Sequence, residues 1–320
     1  MAAMLVYVSS AAGAADGASL QALGLAHGLA AGAPVHALVV GDEAAAATLG
    51  AWGAGQVHLA RHPGLEAPAP DADARILADL AERLGAAVVV GPGTEWGHTV
   101  LARAAARAGL PFAANCTAVR LGSPTTVTRL RWGGSLLEEA AVHAERLLLS
   151  VAAHAVEPVQ TGASAPVEAF TPELDDSDLA VRVVERVAAA GGGVSLADAK
   201  VVVSGGRGVG SADGFKPIEE LAGLLGAAVG CSRAVTISGW RSHTAQVGQT
   251  GTKIAPNLYI ACGISGATQH MAGTKGARKI LAINKDAEAP IMSSADYAVI
   301  GDLHQVVPAI SAEIRRVRGA

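Results

Sequence analysis

Residues 200–210 read KVVVSGGRGVG. A short run of β-branched residues that stops at glycines marks a strand covered on both faces, as in parallel sheets. Outward from this stretch the same unit recurs. A helix is expected over 217–226 and a strand at 228–230, followed by strands at 258–263, 279–284 and 297–301 and a last helix over 303–316. Five strands separated by helical stretches predict a doubly wound parallel sheet.

The first half of the chain alternates in the same way. Strands are expected at 4–8, 35–40, 57–59 and 87–90, and helices at 19–31, 43–49, 73–84 and 96–108. After Leu110-Pro111 the pattern changes, and 118–121, 126–132 and 146–152 are spaced as antiparallel strands that extend this sheet or pack beside it. The expected class is α/β. A parallel-sheet domain with added antiparallel strands occupies residues 1–190, and the doubly wound domain occupies 194–320. The boundary is set at Gly191-Gly192-Gly193, the most flexible backbone in the chain, after a stretch at 165–178 rich in Pro, Asp and Ser. Between them, 181–187 reads equally as a strand or as the start of a helix.

Composition narrows the function. Charged residues make up 16% of the chain against roughly 25% in typical globular domains, and aromatics only 3%, so the cores must be built from Ala, Val, Leu and Ile. A net charge of -4 gives no general pull toward nucleic acid or an anionic membrane, and no nucleic-acid partner is expected. Cys116, Cys231 and Cys262 are far apart with no CxxC pair, which suits a reducing compartment. Residues 17–41 carry no Asp, Glu, Lys or Arg and could span a bilayer by length. Pro34, His27, His36, Gln21 and several glycines favour a buried helix, turn and strand instead, so no membrane insertion is expected. Residues 1–10 lack the basic and apolar regions of a signal peptide, and a cytoplasmic location is expected.

Ligands of open parallel sheets bind at the carboxyl ends of the strands. Four such ends look selected for a ligand: Ser204-Gly205-Gly206-Arg207, Gly263-Ile264-Ser265-Gly266, Asn284-Lys285-Asp286 and Gly301-Asp302. Glycines there let backbone N–H groups approach a phosphate, and Ser265-Gly266 opening a helix is the stronger diphosphate candidate. Residues 206–210 miss the GxGxxG spacing, and a tight strand-to-helix turn is the competing reading. The loop QVGQTG at 246–251 can wrap a planar heterocycle with amide and hydroxyl groups, or can be a solvated loop. No spacing of histidines or cysteines suggests a metal site. Cys231, beside Ser232 and Arg233, reads as a small core residue rather than a redox thiol.

Five segments in order carry a resemblance: VVVSGGR at 201–207, AVGCSR at 228–233, QVGQTG at 246–251, LYIACGISGATQH at 258–270 and INKDAEAP at 283–290. Together they closely resemble the C-terminal FAD domain of electron transfer flavoprotein alpha subunits. The resemblance runs from about residue 200 to the C-terminus, while the first half is similar in length and rhythm. Thr268 and Cys262 depart from the usual Ile or Val and Val, and 236–245 departs more.

The resemblance implies FAD as cofactor. Arg207, Ser232, Ser265, Gly266, Asn284 and Asp302 would line its adenosine and diphosphate. Gln249 and Thr250 would face the isoalloxazine, with the Thr250 hydroxyl near its redox-active nitrogen. His270 would sit by the pyrimidine-ring carbonyl, and Arg233 over the ring. Gln246, Val247, Gly248, Ala267, Thr268 and Gln269 complete the implied set. Arg233, Thr250 and His270 would tune the potential, with no catalytic residue and no metal. The implied protein is an electron carrier rather than an enzyme. It would be a heterodimer with a beta subunit, taking electrons from dehydrogenases of the acyl-CoA type in fatty acid beta-oxidation. They would pass to a membrane quinone oxidoreductase through a stabilised anionic semiquinone. The alternatives are a subunit of an electron-bifurcating, NADH-oxidising complex and, more remotely, an NAD-binding regulatory or deacylase-like protein.

Overall fold

The computed structural model describes residues 3–134, 136–185 and 195–319. The chain divides into two compact units, Met1–Val187 and Ala188–Ala320. The three glycines expected at the boundary, and residues 186 and 187, lie outside the described residues, while 181–185 form neither helix nor strand.

In the first unit the strands are β1 (Met4–Val8), the two-residue pair β2 (Ser10–Ala11) and β3 (Ala14–Ala15), β4 (Val35–Val40), β5 (Gln56–Ala60), β6 (Val88–Pro92), β7 (Phe112–Arg120), β8 (Thr125–Arg131), β9 (Leu136–Val142), β10 (Leu147–Val151) and β11 (Val167–Phe170). Apart from the β2–β3 pair they form one sheet in the order β11-β5-β4-β1-β6-β10-β7-β8-β9. Helices α1 (Gly17–Leu29), α2 (Glu43–Thr48), α3 (Pro70–Arg83) and α4 (Glu95–Ala108) connect its first half. Alternation along β1 shows how the sheet is covered. Met4, Val6 and Val8 pack with Ala22, Leu23 and Ala26 of α1, whereas Leu5 and Tyr7 pack with Ile76 and Leu77 of α3 and Leu101 of α4. Each such buried aliphatic side chain contributes about 1.5–3 kcal/mol. The stretch 17–41 without charge is α1, a turn and β4. Among the described residues no helix is long and apolar enough to cross a membrane.

The expected antiparallel extension needs correction. β7–β8 and β8–β9 are antiparallel, but residues 147–151 form β10, a parallel strand between β6 and β7. All five of its residues are buried, with Leu147 and Leu149 in one core layer and Leu148 in the other. That is the environment of a central parallel strand. The β2–β3 pair, β9 and β11 were not expected. β11 adds as a parallel edge strand beside β5, inside the stretch read as linker-like.

The second unit holds β12 (Val201–Gly205), β13 (Ala228–Cys231), β14 (Leu258–Cys262), β15 (Ile280–Asn284) and β16 (Tyr297–Ile300), all parallel, in the order β13-β12-β14-β15-β16. Its helices are α5 (Lys216–Leu225), the short α6 (Arg233–Ile237), α7 (Thr268–Met271) and α8 (Ile291–Ser294), and α9 (Leu303–Arg318); α5 and α9 cover one face through Ile218, Leu221, Leu303 and Val307. Tyr259, Ala261, Ile264 and Ile291 fill the other side. The chain moves from β12 to one neighbour, β13, and then returns to the opposite neighbour, β14. The strand order therefore reverses between β12 and β14. At such a switch point the connections leave on opposite sides and open a crevice at the strand ends.

Candidate functional site: a cleft at the strand ends of the second unit

A cleft of about 440 Å³ lies at this switch point. Its walls come from the loops after β12 (Arg207, Gly208), β13 (Ser232, Arg233, Ala234), β14 (Gly263 to Ala267, Gln269, His270) and β15 (Asn284, Asp286, Ala289), with Gln246 to Thr250 as a further wall. Of the residues singled out in sequence, Arg207, Ser232, Arg233, Gln246, Val247, Gly248, Gln249, Thr250, Ser265, Gly266, Ala267, Gln269, His270 and Asn284 come together here. Thr268 and Asp302 do not line it. Asp302 follows β16, two strands from the switch point. Its carboxylate caps α9 by accepting from the His304 N–H at 2.9 Å and pairs with Lys285 Nζ at 3.0 Å. Gly208, Ala234, Gly263, Ile264, Asp286 and Ala289 line the cleft without having been placed in the cofactor set, although several lie within the strand ends already picked out.

The two glycine loops take different parts. After β12, residues 207–209 form a short 3-10 turn, with the Gly206 N–H bonded to the Cys262 carbonyl at 2.8 Å and the Gly208 N–H to the Gly263 carbonyl at 3.1 Å. A Cβ on Gly206 would stand 2.2 Å from the Gly263 carbonyl oxygen. These glycines let two loops touch, and the Gly206 and Gly208 amides are already used, so the segment is built as a tight turn that presents the exposed Arg207 side chain. After β14 the opposite is found. Among the described residues, the N–H groups of Ser265, Gly266, Ala267 and Thr268 donate no hydrogen bond. Gly266 reaches φ +83, and a Cβ there would lie 2.5 Å from the Ile291 nitrogen. Successive unpaired N–H groups around a left-handed glycine form a concave anion site.

Arg207 and Arg233 are both exposed at the rim, and neither forms an ion pair among the described residues. Two unneutralised guanidinium groups and a row of free amides suit a doubly charged diphosphate.

The 246–251 loop is braced rather than loose. Gln246 is buried; its Oε1 accepts from Thr236 Oγ1 at 2.8 Å and its Nε2 donates to Thr250 Oγ1 at 3.0 Å. Gln246 is thus satisfied at both ends, and the Thr250 hydroxyl, having accepted, keeps its own proton to give. The Gln249 N–H donates to the Gln269 carbonyl at 2.7 Å, tying the loop to α7 (Thr268–Met271). His270 is buried, with Nε2 2.7 Å from the Tyr259 hydroxyl. Burial pushes its imidazole down to about 4, with the Val247 backbone opposing, so it is neutral at physiological pH. Burial also raises the thiols, Cys231 to about 11 and Cys262 to about 12, so neither is a reactive thiolate. Among the described residues no group of three His, Cys, Asp or Glu could hold a metal ion.

Comparison with known families bears directly on this cleft. The family description "Electron transfer flavoprotein FAD-binding domain" matches residues 195–275, and "Electron transfer flavoprotein domain" matches residues 4–175. The chain belongs to the alpha-subunit family of electron transfer flavoproteins. It is 39% identical to the electron transfer flavoprotein subunit alpha of Mycobacterium tuberculosis (strain ATCC 25618 / H37Rv) over the full length of both chains. It is 41% identical to that of Mycobacterium leprae (strain TN), covering 76% of each, and 37% identical to "Protein FixB" of Clostridium saccharobutylicum over 84% of this chain and 82% of that one. FAD is the cofactor of the family's C-terminal domain, its members act in electron transport, and the alpha chain normally pairs with a beta subunit.

The residues present fit that cofactor. The free amides at 265–268 and the unpaired Arg207 and Arg233 match a diphosphate and an electron-rich ring. The Thr250 hydroxyl offers a hydrogen-bonding group, and the buried, neutral His270 adds no charge to the wall.

Proposed function

We propose that this chain carries FAD across the strand ends of its second unit. The 265–268 amides and Arg207 would hold the diphosphate, and the 246–250 loop, His270 and Arg233 would hold the ring. FAD supplies the one-electron chemistry; the chain supplies binding, orientation and field. Arg207 and the free amides neutralise the diphosphate, Gln246 fixes the direction of the Thr250 hydroxyl, and Arg233 puts a cation near the ring. A unit charge at ~6 Å with an effective dielectric of ~20 is worth about 3 kcal/mol, on the order of 0.1 V for one electron. Such a charge favours the state that holds an extra electron. In this role the chain is an electron carrier. It accepts from dehydrogenases of the acyl-CoA type and delivers to a membrane quinone oxidoreductase, as one half of a heterodimer with a beta subunit.

The observation that carries this reading is the coincidence of free amides and unpaired arginines at the topological switch point. The experiment is co-expression with a beta-type subunit, followed by an absorption spectrum and a nucleotide count. Flavin absorbance with one FAD and one AMP per heterodimer is expected. Two FAD per heterodimer would favour an electron-bifurcating complex, and a colourless complex that FAD cannot reconstitute would end the case.

A further inference from the structure

Three side chains along the 246–250 wall share hydrogen bonds in a row that can be ordered in two ways. Thr236 Oγ1, on α6, stands 2.8 Å from Gln246 Oε1 and 2.9 Å from the Arg233 carbonyl oxygen. At the other end of the amide, Gln246 Nε2 stands 3.0 Å from Thr250 Oγ1. Gln246 is buried, Thr236 is half-buried, and Thr250 is exposed on the wall of the cleft. The Arg233 carbonyl can only accept, whereas each hydroxyl has one proton to give and can also accept.

Two arrangements fit the same heavy atoms. In the first, Thr236 donates to Gln246 Oε1, the amide donates to Thr250, and the Thr250 proton is left for the cleft. Turning the amide over exchanges its oxygen and nitrogen without moving the chain, because the last side-chain torsion of Gln is broad and two-fold. Thr236 then donates to the Arg233 carbonyl, the amide donates to Thr236 Oγ1, and Thr250 donates to the amide oxygen. The cleft now meets a Thr250 oxygen that accepts and has no proton to give. Each arrangement leaves one amide proton unused among these groups, so the ligand atom in the cleft decides between them. An accepting ligand atom is paired only in the first, which then holds three hydrogen bonds. A ligand N–H is paired in both, but only the second also uses the Thr250 proton, for four in all. A polar group left unpaired in a closed site costs more than a hydrogen bond gains, so each kind of ligand atom selects its own arrangement.

We propose that the Gln246 amide, braced by Thr236, is a two-position relay that makes Thr250 a donor to a bare ring nitrogen of bound FAD and an acceptor from that nitrogen once it is protonated. This rests on the FAD reading above, which sets the ring against the 246–250 loop. Full reduction of a flavin by two electrons adds a proton at a ring nitrogen that is bare in the oxidised form, so both kinds of ligand atom arise on one cofactor. Gln246 and Thr236 are positioning residues, since they act through Thr250. Thr236 opens the stretch 236–245, which departs from the family pattern, so this brace belongs to the chain's own sequence.

The test is NMR of the FAD-loaded heterodimer with 15N-labelled glutamine and methyl-labelled threonine, oxidised and after reduction with dithionite. The Gln246 amide is assigned by its loss in Gln246→Met. Its protons should show their strongest Overhauser contact to the Thr250 methyl in the oxidised protein and to the Thr236 methyl in the reduced one. Thr236→Val keeps the shape and removes the hydroxyl, which takes one of three hydrogen bonds from the oxidised state and two of four from the reduced. Affinity for reduced FAD should therefore fall about five- to tenfold more than affinity for oxidised FAD. That lowers the two-electron midpoint potential by about 20–30 mV, and Thr236→Ser should restore the parent value. An amide that keeps the same neighbour in both redox states would overturn the proposal, as would a Thr236→Val potential equal to the parent's. If Thr236→Val fails to fold, the two parent spectra decide. A parent that binds no FAD would instead remove the proposed function, so the two failures are distinguishable.

Discussion

Each unit of this chain has a cleft at the carboxyl ends of parallel strands, and the two are nearly equal in size, about 430 Å³ in the first and about 440 Å³ in the second. Their walls are opposites. The first is lined by Asp16, Glu66 and Asp73 with no Lys or Arg, and its floor is already occupied by hydrogen bonds. Trp96 Nε1 donates to the Tyr7 oxygen at 2.9 Å, and the Tyr7 hydroxyl donates to Asp73 Oδ2 at 2.6 Å. The second offers Arg207, Arg233 and unpaired amides. The lesson is that a doubly wound sheet supplies a crevice wherever strand order reverses, but the polar groups left unspent at its rim decide what can enter. An anionic dinucleotide meets acidic side chains and a hydrogen-bonded floor in the first cleft, and free amides and cations in the second.

The contrast can be broken most severely at Gly206. Its replacement by Ala puts a Cβ against the Gly263 carbonyl, forcing the β12 and β14 loops apart. A loss of about 2–4 kcal/mol from the second unit is expected, with FAD binding lost, read by urea unfolding and flavin titration.

The next effect belongs to the first cleft and should leave FAD untouched. Burial raises the Asp73 carboxyl from its ordinary value of 3.8 to about 6, with Tyr7 and Trp96 opposing. The folded state therefore holds this proton more tightly than the unfolded one. The contribution is full below about pH 4, declines as pH rises, and is gone above about pH 6, a change of roughly 2–3 kcal/mol. Asp73→Asn should flatten this slope in urea unfolding from pH 4 to 8, while FAD affinity stays the same.

Arg207→Ala should weaken FAD binding about tenfold or more, since a charge-assisted hydrogen bond contributes about 1.5–3 kcal/mol, and the deficit should shrink with added salt. Arg233→Ala is the smallest change. Because Arg233 is exposed, screening reduces its field, and the midpoint potential of bound FAD should fall by about 20–60 mV in spectroelectrochemical titration. An unchanged potential would remove Arg233 from its assigned place.

The same two regions show what was legible in the sequence. All five strands of the second unit could be read because each is a short apolar run ending at Gly, Ser or Asn, and most cleft residues sit in those endings. In the first unit the parallel strands and main helices as far as α4 were expected, but the two-residue β2–β3 pair was not. Beyond it, β10 was assigned the wrong direction because strand pairing is non-local, and LLLSV carries no sign of whether its neighbours run with it or against it. β11 was missed because VEAF is short and exposed at an edge, so it has little alternation to detect. Asp302, placed with the cofactor by the resemblance, does not line the cleft, and its carboxylate caps α9 and pairs with Lys285. The Tyr7–Asp73–Trp96 cluster left no trace in the sequence, since its bonds join residues 66 and 89 positions apart.

Hydrogen–deuterium exchange of the heterodimer with FAD bound and with FAD stripped compares the two clefts in one experiment. Binding should slow exchange at residues 263–270 and 246–250, most of all at the amides of 265–268, and should leave 8–16 and 94–96 unchanged. Protection confined to the first unit, or none at 265–268, would contradict a flavin held at the switch point of the second.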